Sequence, residues 1–88
     1  MAAVFSLSMY TPEETLFIGD VMSVIVPSVD GSMGVLAHHT PIVALLSGGP
    51  ITIKDARGQT KVFQASGTGC FEVAHNVATI LLENVEAV

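Results

Sequence analysis

Residues 21–53 read VMSVIVPSVDGSMGVLAHHTPIVALLSGGPITI, and this stretch decides the fold. It carries one formal charge, Asp30, and its valine and isoleucine runs are interrupted at short intervals by proline, glycine and aspartate. β-Branched runs bounded by such turn formers are typical of short β-strands. The stretch therefore predicts strands joined by tight turns, with little helix.

The same pattern extends to both sides of this stretch. From Phe5 to Tyr10, apolar and polar side chains alternate, which is the period of a half-buried strand. The sequence around His75-Asn76 predicts a turn between two strands, and residues 55–58 predict the turn of a hairpin. Besides the first strand, we predict strands over residues 21–26, 51–54, 60–65, 70–73 and 78–82.

Turn signals recur roughly every 8–12 residues, a spacing that favours a sandwich or flattened barrel. They fall at Thr11-Pro12, Gly19-Asp20, Asp30-Gly31 and residues 48–50, 55–58 and 66–69. We therefore predict an all-β fold, a flattened two-sheet sandwich of about ten short strands. At 88 residues the chain is one domain, residues 1–88.

Two segments are ambiguous. Thr11-Pro12-Glu13-Glu14 resembles a helix start, but Gly19 and a β-branched run follow too soon, so a corner between strands is predicted. The apolar run Pro41–Leu46 cannot be assigned by its period alone. Its length and the following Gly48-Gly49-Pro50 favour a strand.

The surface is expected to be unusually apolar. Charged residues make up 12% of the chain, against about 25% in typical soluble domains. A small domain cannot bury all of residues 21–53, and residues 27–41, which hold the most turn formers, are predicted to form an exposed loop. A neutral, apolar exposed loop indicates a surface that a partner covers. The alternative is a well-packed monomer with few charges.

Composition sets several classes aside. The longest apolar runs are about six residues, against the 18 or so that a spanning helix needs, so no membrane insertion is expected. The N-terminus lacks the basic start of a secretion signal. The net charge of −5, with three basic residues, argues against a nucleic-acid partner. Cys70 is the single cysteine and is expected to be a buried, inert thiol.

An ordered series of short motifs resembles the N-terminal β-sandwich domain of the epsilon subunit of F-type ATP synthases. The resemblance runs from about Phe5 to Glu86 and is specific as a series, since each piece alone is common. It rests on Thr11-Pro12-Glu13, Phe17-x-Gly19, Val24-Ile25-Val26-Pro27, Asp30-Gly31-x-Met33-Gly34-Val35-Leu36, His39-x-Pro41, Gly49, Ile51, Ile53, Phe63, Gly69, Phe71-Glu72-Val73 and residues 79–81.

The resemblance implies a non-catalytic part of the central stalk that couples the c-ring to the gamma subunit during ATP synthesis. It implies a peripheral position on the cytoplasmic face of a bacterial inner membrane, or the matrix or stromal face in an organelle. A gamma contact is expected at Thr11 and Pro12. A c-ring contact is expected at eight residues: Asp30, Gly31, Ser32, Met33, His38, His39, Thr40 and Pro41.

The chain departs from the family pattern in three places. Ser32 stands where the family usually has an acid, His38-His39 and Thr40 replace a Gly-His-Ala run, and the glycines of Gly67-Thr68-Gly69 are shifted by one residue. Most members continue into a helical hairpin that inhibits hydrolysis and in some cases binds ATP. This chain ends at Val88, so neither the hairpin nor a nucleotide site is expected in it, whether that end is natural or the result of a cut.

No catalytic, cofactor or metal site is predicted. His38 and His39 would point to opposite faces of a strand, which leaves an interface pair or an exposed loop pair as interpretations. Gly67-x-Gly69 precedes no helix that could bind a dinucleotide. One rival is a lipoyl or biotinyl carrier domain, because Lys54-Asp55-Ala56 lies beside a hairpin tip, although carriers have the order Asp-Lys-Ala.

Overall fold

The computed structural model describes residues 3–86, and the described chain is built from strands and turns. Met1, Ala2, Ala87 and Val88, which the domain prediction included, lie outside the described residues. The strands are β1 (Phe5–Tyr10), β2 (Thr15–Ser28), β3 (Gly31–Leu36), β4 (Ile42–Leu46), β5 (Gly49–Asp55), β6 (Thr60–Ala74) and β7 (Val77–Glu86).

Three long strands pass from one layer of the sandwich to the other. The first halves of β2 and β7 and the second half of β6 form one layer with β1 and β4. Their other halves form the opposite layer with β3 and β5. The all-β, two-layer prediction is confirmed. Seven strands form it because β2, β6 and β7 each contribute to both layers, which is why the sequence suggests a larger number of short ones.

An apolar core lies between the layers, and no polar or charged residue among residues 3–86 is classed as buried. Alternation along each strand sends one side chain in two to this core. The largest fully buried side chains include Phe5 and Phe71, which come from neighbouring parts of the same layer, and Ile51 and Ile53 from the other layer. Burial of these side chains is the main force that holds the two layers together.

Two predicted turns and one predicted strand end are wrong because long strands continue through them. The predicted turn at Gly19-Asp20 lies inside β2, as does Pro27, where a strand was predicted to stop. The predicted turn at residues 66–69 lies inside β6 as a β-bulge, with a register shift between Ser66 and Gly69. Pro27 can pair within the sheet because its carbonyl oxygen is still an acceptor. It accepts a hydrogen bond from the backbone N–H of Ser47 at 2.8 Å and another from the Ser47 hydroxyl at 3.1 Å. Of these three positions, the bulge at residues 66–69 marks the point where the strand passes between layers.

The predicted loop over residues 27–41 is also wrong in part. Residues 31–36 form β3, an edge strand that pairs with β2, and Val35 is 1% exposed. The strand predicted over residues 42–46 is confirmed as β4. The corner predicted at Thr11–Glu14 is confirmed, since the N–H of Thr11 donates to the carbonyl of Glu14 at 2.9 Å.

Candidate functional site

One outer face of the sandwich carries most of the exposed apolar side chains. The cross-strand pairs Tyr10–Leu81, Leu81–Cys70 and Cys70–Leu45 form a continuous row over β1, β7, β6 and β4. We call this outer surface of the β1–β7–β6–β4 layer the Leu45 face. Its large exposed apolar residues are Val43 (67%), Leu45 (65%), Val77 (53%) and Leu81 (52%), and Ile18 (67%) continues it on the paired first half of β2.

The Leu45 face carries few charges, and those it carries are acidic. Glu72 lies in it, paired with Val43 and Thr79, and Asp20 lies opposite Ser6 at its margin. Glu83 lies beside Leu45 and Leu81 at one end. The basic residues Lys54 and Lys61 lie in the β5–β6 hairpin of the other layer, where they pair with Thr60 and Ile53 respectively. A face with so few charges is costly to hydrate and is favourable to cover with apolar surface.

Cys70 lies in the same row and is half-buried, so the predicted buried thiol is wrong. The neighbouring Phe71 takes the inward position and is fully buried. Because successive side chains of a strand point to opposite faces, Cys70 must then face outward. The outer positions could have been read from the sequence only if the register of β4 against β6 had been known.

The Asp30 end of the sandwich contains the corner Thr11–Glu14 and the turn between β2 and β3. In that turn the N–H of Asp30 donates to the hydroxyl of Ser28 at 3.1 Å, and Gly31 has φ of 121°. Pro12 and Val29 line an apolar depression at the edge of the Leu45 face, together with Leu45 and Leu81. The predicted gamma residues and the predicted ring turn therefore lie at the same end of the molecule.

Side chains of the predicted ring turn differ in what they offer to a partner. Asp30, Gly31 and Ser32 are exposed. Met33 is half-buried and packs against the core, so its side chain contributes to folding as well as to the surface. A substitution of Met33 would therefore mix two effects.

The Asn76 end holds the segment His38–Pro41, the turn His75-Asn76 and Val4. The side-chain oxygen of Asn76 accepts the backbone N–H of His38 at 2.8 Å, and its side-chain nitrogen donates to the carbonyl of Val4 at 2.9 Å. The Nδ1 of His39 lies 2.6 Å from the carbonyl oxygen of Thr40. This end was not recognised from the sequence beyond the two histidines and the turn.

The structure does not bring the eight predicted ring residues together. Asp30–Met33 lie at the start of β3, and His38–Pro41 lie beyond its end. A strand of six residues spans about 17–20 Å. The two groups therefore occupy opposite ends of the sandwich, one beside Pro12 and the other beside Asn76.

The shifted glycines of Gly67-Thr68-Gly69 form the bulge that carries β6 from one layer to the other. The carboxylate of Glu83 accepts hydrogen bonds from the hydroxyl and the backbone N–H of Thr68, the latter at 3.3 Å. These bonds, the hydroxyl first, lower the pKa of Glu83 below its ordinary value of 4.5. Glu83 is thus a structural acceptor that holds the bend, and its charge stabilises the bulge.

Residues 3–86 contain neither a cluster of metal-ligating side chains nor a membrane-spanning helix. No group of three or more His, Cys, Asp and Glu side chains there is placed to hold a metal ion. The same residues contain no helix long and apolar enough to cross a membrane.

The sequence matches a family model described as the ATP synthase delta/epsilon chain, β-sandwich domain, over residues 4–88. Among similar proteins, the ATP synthase epsilon chain of Protochlamydia amoebophila is 44% identical over 84 residues. The match covers 96% of this chain and 56% of that relative. The epsilon chain of Caulobacter vibrioides is 43% identical over 81 residues, covering 91% and 92% of the two chains. The matched region includes the Lys54 hairpin, so nothing supports the carrier-domain alternative.

Solved structures show the same fold. A chain of the Euglena gracilis mitochondrial ATP synthase superposes with a TM-score of 0.87 at 24% identity, over 98% of this chain and 54% of that one. A chain of the Tetrahymena thermophila mitochondrial ATP synthase central stalk and c-ring gives 0.77 at 13% identity, over 97% and 67%. The family match over nearly the whole chain carries the assignment, and the protein belongs to the delta/epsilon β-sandwich family of ATP synthases.

Proposed function

We propose that this chain is the epsilon subunit of a rotary F-type ATP synthase, a non-catalytic component of the central stalk that couples the c-ring to the gamma subunit. The observation that carries the proposal is the Leu45 face, an exposed apolar surface with few charges on a family member. Long-lived interfaces are more apolar than transient ones, so this face suits a permanent partner.

We assign the Leu45 face to gamma. Thr11 and Pro12, the residues expected to touch gamma, lie at one end of this face, and Pro41, which precedes β4, lies at the other. A partner lying along the face would reach both ends. We also assign His38–Pro41 to the gamma contact, and the support for this is that the length of β3 separates them from the turn at Asp30.

We assign the c-ring contact to Asp30, Gly31 and Ser32. Met33 stabilises the turn by packing its side chain against the core. These exposed groups are polar or lack a side chain, which suits the polar loops of a ring. Ser32 offers a hydroxyl where the family usually has an acid, so this contact depends on hydrogen bonds more than on charge. The domain would lie against the membrane on the side that carries the catalytic head: the cytoplasmic side in a bacterium, the matrix or stromal side in an organelle.

The test is binding to the cognate gamma subunit by calorimetry, with one charge placed on each outer face. Leu45→Glu puts a carboxylate into the proposed gamma contact and should weaken binding by about 30-fold or more, as for a hot-spot residue. Val62→Glu is the matched control, because Val62 is 49% exposed on the outer face of the opposite layer. The assignment would be contradicted if both variants lost gamma affinity equally, or if neither lost any.

The ring contact needs its own measurement. Ser32→Arg adds a bulky charge to an exposed turn position without touching the core, and it should reduce the proton pumping driven by ATP hydrolysis in the reconstituted enzyme. Gamma binding should be unchanged. Undiminished pumping would remove the turn from the ring contact.

A further inference from the structure

Asn76 makes three hydrogen bonds that join separate parts of the chain. Its side-chain oxygen accepts the N–H of His38, its side-chain nitrogen donates to the carbonyl of Val4, and its own carbonyl accepts the N–H of Ser6 at 3.2 Å. One residue thus joins the β6–β7 turn, the chain entering β1 and the segment between β3 and β4. The contacts reach residues 38 positions back and 72 positions back in the sequence.

The backbone at this end is held in an unfavourable conformation. Within residues 3–86, the non-glycine residues with positive φ are His38 (63°), His75 (52°) and Asn76 (63°), and all three lie at this end. Such angles are uncommon for residues with a Cβ, although Asn and His tolerate them better than most. A left-handed residue persists where surrounding contacts hold it. For His38, such a contact is the hydrogen bond that its N–H donates to the side-chain oxygen of Asn76.

We infer that Asn76 is a positioning residue for the gamma contact: its side chain fixes the left-handed turn at His38 and thereby the placement of His39, Thr40 and Pro41. The inference rests on the proposed function for the identity of the partner. The physical reason is that a turn held by a directed hydrogen bond is already ordered before binding. Less conformational entropy is then lost when the partner binds.

Three variants separate this role from a general effect on the turn. Asn76→Gly keeps the left-handed backbone and removes both side-chain bonds. His75→Gly is the matched control, because it removes an exposed side chain at positive φ from the same turn. Asn76→Asp keeps the acceptor for His38 and removes the donor to Val4.

The first measurement is hydrogen exchange of the His38 amide in the free chain. Asn76→Gly should speed exchange by about five- to tenfold, the factor for one modest hydrogen bond. His75→Gly and Asn76→Asp should leave this amide protected. Unchanged exchange in Asn76→Gly would show that Asn76 does not hold the segment and would overturn the inference.

The second measurement is gamma affinity in a double-mutant cycle of Asn76→Gly with His39→Ala. If Asn76 acts through the segment, each single variant should weaken binding by about tenfold and the double variant little more than either. Asn76→Asp should bind almost as the unaltered chain does. Strictly multiplicative losses, or a loss in Asn76→Asp equal to that in Asn76→Gly, would overturn the inference. Absence of any gamma binding by the unaltered chain would instead refute the proposed function. The exchange measurement would still test whether Asn76 holds the segment at His38.

Discussion

Gly69 should tolerate no side chain, although its backbone angles are ordinary. A Cβ at this position would lie 2.7 Å from the carbonyl oxygen of Leu81 and 2.9 Å from Cδ2 of Leu82. The oxygen belongs to the neighbouring strand and cannot rotate aside as a flexible side chain would. Gly69 also pairs with Leu46 on its other side, so β6 is confined between two strands at this point.

The expected magnitude follows from this overlap. Overpacking a well-packed site costs about 1–3 kcal/mol, so Gly69→Ala should lower the free energy of unfolding by that amount. Gly34→Ala is the control: it also lies in a strand, and its nearest atom is Cγ1 of Ile25 at 4.0 Å. That change should raise the free energy by about 0.4–1 kcal/mol, because alanine restricts the unfolded chain.

Urea denaturation followed by circular dichroism measures the difference. With a slope of about 1 kcal/mol per M for a domain of this size, the two midpoints should differ by roughly 1.5 M or more. A Gly69→Ala midpoint equal to or above that of the unaltered chain would refute the close approach of β6 and β7. It would also remove the steric reason for a glycine at the bulge.

Three further predictions use other parts of the structure. Hydrogen bonds from Thr68 lower the pKa of Glu83, so their contribution to folding stability is fully present above about pH 4.5 and is lost as pH falls through the lowered pKa. When the free energy of unfolding is measured against pH, Thr68→Val should therefore lose less stability in acid than the unaltered chain. Equal losses of stability in the two chains would contradict this. Leu45→Lys should reduce self-association of the free chain in sedimentation experiments and change its free energy of unfolding by no more than about 0.5 kcal/mol, since the side chain faces outward. Lys61→Gln should cost about 0.5–1 kcal/mol in urea unfolding, because the Lys61 ammonium lies 5.5 Å from the centre of the Phe17 ring; a neutral result would mean that the contact is not populated.

The parts of the fold that depend on neighbours in sequence were predictable. The hairpin of β5 with the first half of β6 follows from its alternating residues and the turn at Asp55, whose carboxylate accepts the N–H groups of Arg57 and Gln59 at 2.9 Å. The turn at His75-Asn76 was predicted for the same reason. Where a strand crosses between layers, glycine gives the same local signal as in a turn, and the difference lies in distant partners such as Leu82 for Gly69.

The candidate site was predicted less completely. The motifs locate Thr11-Pro12 and the Asp30 turn, but the Leu45 face is assembled from four strands whose order no local pattern reveals. The separation of His38 from Asp30 was also hidden, because it depends on residues 31–36 being extended. Asn76 was predicted only as a turn residue, since its hydrogen bonds reach residues far away in sequence.

The parallel pairing of β1 with β7 has a consequence for how the protein is made. Ser6 lies beside Val77, so β1 must wait until β7 has been synthesised before either strand has its full set of partners. Such distant pairings make closure slow, on the order of milliseconds to seconds. During translation, the growing chain must therefore keep its apolar first half from aggregating until β7 emerges.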